Sequence, residues 1–94
     1  MFKLNAEEKY RFEQSLKRIN LDIHDGCYRS DVEWYRHRRS SSSRCTDPLC
    51  QRIVDELESC YSIKEKTLVP LCPCTRFSYT IIKSFIEQSL KDNS

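Results

Sequence analysis

The residues of this chain best suited to chemistry are six cysteines, at positions 27, 45, 50, 60, 72 and 74, and two histidines, at 24 and 37. A thiol can pair in a disulfide, ligate a metal ion as its thiolate, or be buried as a small apolar group. An even number of cysteines in 94 residues favours the first two. Which of them applies depends on the compartment, because thiols stay reduced and bind metals in the cytosol or nucleus and are oxidised elsewhere.

Two groupings stand out. Cys45-x4-Cys50 with Cys72-x-Cys74 supplies four thiolates, a candidate zinc set that would clip a loop to a helix. C-x-C is tighter than the usual knuckle, and Pro73 stiffens it, so two ligands to one ion from that segment imply strain. The second grouping is Cys50-x9-Cys60. Ten helical steps are about 15 Å and nearly three turns, which leaves the two thiols within about 80° of one another around a helix. Both can therefore face one neighbouring helix, and antiparallel packing brings facing Cβ atoms near disulfide range. A segment with the same spacing exists: nine residues lie between Cys27 and His37, and an antiparallel register that sets Cys27 against Cys60 also sets His37 against Cys50.

These side chains need elements to hold them. Asn5 with Glu8 fits a capping box, and Phe12, Leu16, Ile19 and Ile23 recur at helical spacing, so a first helix is expected over residues 6–23, stopped at Gly26. Ser30 with Glu33 marks a short second helix carrying Val32, Trp34 and Tyr35. The run from Arg36 to Arg44 contains four consecutive serines and, over residues 40–46, reads as a flexible linker. Asp47-Pro48 is a helix start, and Leu49, Ile53 and Leu57 with Cys50 and Val54 give a third helix, over 48–62, an apolar face. Residues 63–74 hold Pro70 and Pro73 and no stripe, which predicts an extended loop. From Thr75 or Ser78 onward, Phe77, Ile81, Ile82, Phe85, Ile86 and Leu90 line a C-terminal helix over 75–91. No strand pattern occurs, so the expected class is all-α, as one small domain spanning residues 1–94.

Over residues 27 to 61 these motifs resemble the coiled-coil-helix-coiled-coil-helix proteins with twin C-x9-C motifs, found mainly in the mitochondrial intermembrane space. The resemblance implies a disulfide-stapled antiparallel helical hairpin with flanking amphipathic helices, and it pairs Cys27 with Cys60 as the outer bridge. The inner bridge is interrupted, since His37 stands where that family has a cysteine. Similarity to members with a third bridge implies further disulfides among Cys45, Cys50, Cys72 and Cys74. It also implies import without a cleaved presequence and a non-enzymatic role, as a structural subunit or assembly factor of a larger, respiratory complex. Disulfides with no cofactor are thus the first expectation. The alternative is a zinc-binding nuclear or cytosolic adaptor using Cys45, Cys50, Cys72 and Cys74.

Several function classes are disfavoured. Sixteen basic against fourteen acidic residues create no global field for nucleic acid or anionic membranes. The basic patch of Arg36, Arg38, Arg39 and Arg44 is favoured at a helix C-terminus by the dipole and by solvation alone, so a protein partner is expected before RNA. No apolar run is long enough for a membrane span, and the opening MFKLNAEEKYRFEQ lacks the apolar region of a cleavable secretory signal. His24 reads as a capping side chain and His37 as a helix-end residue. Glu7, Glu8, Asp55, Glu56 and Glu58 read as solvated carboxylates. With one glycine and no phosphate loop or nucleophile elbow, an enzyme is not expected. The apolar stripes of Phe12, Leu16, Ile19 and Ile23, and of Phe77, Ile81 and Phe85, exceed what a short hairpin covers, which predicts partner docking on at least one flank.

Overall fold

The computed structural model describes residues 1–17, 21, 23, 45 and 47–94. Among these, helix is the only regular structure: α1 (Ala6–Leu16), α2 (Pro48–Cys60), α3 (Pro73–Arg76) and α4 (Tyr79–Asp92). The all-α class is therefore as expected. The first arm of the expected hairpin, with Cys27, His37 and Trp34, lies outside the described residues, as do Ile19, His24, the linker serines and Arg36, Arg38, Arg39 and Arg44.

Each long helix begins where its sequence supplies a cap. The Asn5 side chain accepts from the Glu8 N–H at 2.8 Å, and the Glu8 carboxylate accepts from the Asn5 N–H at 3.0 Å, a complete capping box. Asp47 accepts from the Leu49 N–H at 3.0 Å, with Pro48 in the first helical position where no N–H is needed. Ser78 caps α4 through the Ile81 N–H. Such caps are worth about 1 kcal/mol each. Of the two starts the sequence offers for the C-terminal helix, Ser78 is the one used, and Pro73–Arg76 forms a separate single turn.

The first helix is shorter than its stripe suggests. It ends at Leu16, and Leu21 and Ile23 lie outside any helix, both buried. One residue separates them, and both side chains join the main core. The end of α2 differs too. Ser62 takes φ 52°, the Ile63 N–H reaches the Glu58 carbonyl at 2.9 Å and the Ser62 N–H reaches that of Ser59 at 3.1 Å. This is a Schellman termination with serine at the left-handed position usually given to glycine, and Ile63 packs back on the core.

α1 packs on α4, α4 on α3, and α3 on α2. The main core joins Phe12, Leu21, Ile23, Leu49, Ile53, Val54, Leu57, Phe77, Ile82 and Ile86. Phe2, Phe12 and Phe85 form an aromatic trio, with Phe2 edge-on to Phe85 at 5.1 Å between centroids. Arg52 of α2 lies over the Phe2 ring at 4.7 Å, pairs with Glu8 at 2.7 Å and donates to the Lys3 carbonyl, so it ties the N-terminal segment to α2. Beyond α4, Asn93 donates to the Phe2 carbonyl at 2.8 Å and accepts from the Leu4 N–H at 3.1 Å.

This packing places the stripes expected to dock on partners. Phe12, Ile23 and Phe77 are in the core, and Leu16, Ile81 and Phe85 pack against it. α1 and α4 pack on one another, so much of both stripes is taken up within the chain, while Leu16, Ile81 and Phe85 stay partly exposed.

Candidate metal centre

Cys50 stands in the first turn of α2, facing inward from the same side as Val54 and Leu57. Cys45 lies two residues before the Asp47 cap, and Cys72 is the residue on which α3 begins. Three separate stretches of chain thus deliver three sulfurs to one place. The Sγ atoms of Cys45, Cys50 and Cys72 all lie within 4.8 Å of one another, and all three residues are at most 1 % exposed. Cys74, the second residue of α3 and partly exposed, packs against them.

Backbone and side-chain clamps bring these stretches together. The Cys45 N–H donates to the Pro70 carbonyl at 3.0 Å, which joins the two loops directly. Gln51, beside Cys50, donates its amide to the carbonyls of Cys45 at 3.3 Å and Leu71 at 3.1 Å, so one side chain on α2 holds both of the other cysteine-bearing segments. Glu58, two turns further on, is 1 % exposed. Its carboxylate accepts from the Thr67 N–H at 3.1 Å and from the Thr67 hydroxyl, and it faces Arg76 Nε of α3 at 3.5 Å. Arg76 in turn donates to the Glu65 carbonyl at 2.8 Å. The loop from 63 to 71 and α3 are both fastened to α2 by this buried network.

Electrostatics differ sharply between the two buried acids. For the Cys50 thiol, the hydrogen bond with Cys45 raises the pKa, and burial with the charges of Cys45 and Asp47 add to this; a hydrogen bond with Cys72 opposes them, and the net shift is strongly upward. Such a thiol gives up its proton to a cation rather than to water. For Glu58, burial alone would raise the pKa, but the hydroxyl and N–H of Thr67, then Arg76 and Lys66, more than offset it and hold the carboxyl below its ordinary 4.5.

The geometry suits one ion. Sulfurs at tetrahedral vertices about 2.3 Å from a zinc ion stand ~3.8 Å apart, so closing the observed triangle on a metal takes small side-chain rotations. The first-turn N–H groups of α2 add a favourable field for thiolate charge, and Arg11, bonded to the Ile23 carbonyl, pairs with the Asp47 carboxylate at the same end. Three close cysteines can hold a metal ion.

Of the site residues expected from the sequence, Cys45, Cys50 and Cys72 are brought together and Cys74 lies beside them, while Cys60 is apart. It is exposed at the far end of α2, its sulfur 3.8 Å from Glu56. No disulfide is formed among the described residues. Glu58 corrects an expectation, since it was expected among the solvated carboxylates and is buried. Its spacing held the signal: Cys50, Val54 and Glu58 follow one another at four-residue intervals, which puts Glu58 on the inward stripe. Gln51 carried no such mark. No described family matches the chain, and neither does any curated protein or solved structure with which it was compared.

Proposed function

We propose that the chain is a small non-enzymatic helical adaptor or subunit of a larger protein complex, its C-terminal half clipped by a zinc ion on Cys45, Cys50 and Cys72. The observation that carries this reading is the convergence of three buried sulfurs from three segments within 4.8 Å. A bridge consumes thiols in pairs, whereas an ion accepts a third sulfur as readily as a second. An all-sulfur set suits zinc among the common divalent metals, and the spacing leaves room for one ion rather than a multi-iron cluster. Sulfurs this enclosed favour a structural ion over one that meets a substrate. Exposed Tyr10, Tyr61, Tyr79 and Leu68 supply residue types that protein partners use, and the reading places the chain in the reducing cytoplasm or nucleus.

A second reading keeps the intermembrane-space hairpin and its outer bridge. Cys60 favours it, being exposed and away from the cluster, as a mate for Cys27 would be. Intact-mass measurement of the native full chain, with and without reductant, separates the two. The first reading expects one bound zinc and a polypeptide mass that reductant leaves unchanged. A zinc-free chain that gains about two mass units per bridge on reduction would reject it in favour of the second.

A further inference from the structure

Three sulfurs leave a tetrahedral ion with one open vertex, and what fills it decides whether the metal is a sealed clip or a reactive centre. The neighbouring side chains narrow the choice. Asp47 is close enough to influence Cys50, but its oxygens accept from the Leu49 N–H and from Arg11. Glu58 is committed to Thr67 and Arg76, and Gln51 directs its amide at two carbonyls. Cys74 packs against the sulfur cluster from its partly exposed side.

The backbone removes the objection that a C-x-C segment is too tight. Cys72 is extended, with φ −68° and ψ 145°, and the chain enters a helical turn at Pro73, whose ring is buried. Cys72 is the N-cap of that turn and makes no side-chain capping bond to it; its sulfur belongs to the cluster, and Cys74 is the second residue of the same turn. The Cys74 sulfur stands outside the 4.8 Å group but packs against it, so joining the same ion takes a side-chain rotation of Cys74, on a backbone whose change from extended to helical is held by Pro73.

We infer that Cys74 supplies the fourth thiolate to the ion held by Cys45, Cys50 and Cys72, giving a closed, all-sulfur tetrahedral zinc site that admits no exogenous ligand. The inference rests on the zinc reading above and extends it from three ligands to four. On loading, each thiol forms one Zn–S bond and passes one proton to solvent. The zinc with its four thiolates then carries two negative charges, which the N–H groups at the α2 N-terminus favour.

X-ray absorption at the zinc edge of the loaded full chain is the direct test, because it needs no variant to fold. Four sulfurs at about 2.3 Å are expected; three sulfurs with one lighter oxygen or nitrogen overturn the assignment of Cys74 and leave the zinc reading standing. Cobalt(II) titration supplies a second measurement. C74S is expected to lose about a quarter of the thiolate-to-cobalt charge-transfer intensity and to bind zinc at least about tenfold more weakly, with C60S unchanged. A C74S chain with the wild-type spectrum and affinity overturns the inference alone. A wild-type chain that binds neither metal overturns both it and the reading beneath it.

Discussion

Where α1 meets α4, the rings of Phe2, Phe12 and Phe85 pack within 6.4 Å of one another, with Ile82 and Ile86 behind them. At the start of α2, three sulfurs meet within 4.8 Å and bring little apolar bulk. Burying a phenylalanine or isoleucine contributes about 1.5–3 kcal/mol without regard to direction, so the first region is held by area. The second is held by direction. Gln51 and Glu58 bond named atoms in two other segments, and the cysteines fall into place because those bonds fix the loop. An apolar core tolerates small displacements, whereas a triangle of sulfurs that is to hold one ion does not, and Gln51 and Glu58 fasten the chain on that side.

Metal removal should separate the two regions most widely. If zinc clips the second region, chelation or Cys50→Ser is expected to cost on the order of 5 kcal/mol, about 20 °C in Tm, while the aromatic core persists in near-ultraviolet circular dichroism. Phe12→Ala strikes the other region. It is expected to cost about 3–5 kcal/mol by denaturant titration and to leave zinc stoichiometry intact; loss of zinc binding in F12A would mean that the two regions are one cooperative unit.

Glu58→Gln should have a smaller effect, about 2 kcal/mol, since it removes the charge facing Arg76 and one acceptor for Thr67. Because the folded-state carboxyl lies below its ordinary 4.5, the stabilisation is complete above that value and is lost as the pH falls through the lower one. Stability measured against pH should therefore show an acid limb that E58Q flattens. An unchanged limb would assign acid sensitivity to other carboxylates. Smallest of all, Ser62→Gly should stabilise the chain by about 0.5–1 kcal/mol, a few degrees in Tm, by relieving a side chain from the left-handed region at φ 52°.

Local signals in the sequence located the helix starts well. Asn5 with Glu8, Asp47 with Pro48, and Ser78 each act within one turn, and each is found at its cap. The grouping of Cys45, Cys50 and Cys72 was also legible, because cysteines have few fates and the spacings are short. Other features depend on distant contacts and were not. The stripe through Ile23 reads as a continuing helix, yet the core takes Leu21 and Ile23 from chain outside any helix. Ser62 gives no hint of positive φ, since the Schellman bonds to Glu58 and Ser59 impose it. Gln51 became informative only once Leu71 was seen to lie beside Cys45.

Asn93 has a consequence in time as well as in space. Its bonds to Phe2 and Leu4 and the packing of α4 on α1 make the first helix dependent on nearly the last residues described. More than seventy residues separate Leu16 from Asn93, an interval of roughly 4–15 s at ordinary rates of ribosomal synthesis. Throughout it, Phe12 has no ring from Phe85 to cover it. A chaperone that meets the nascent chain in that interval finds an apolar handle on α1.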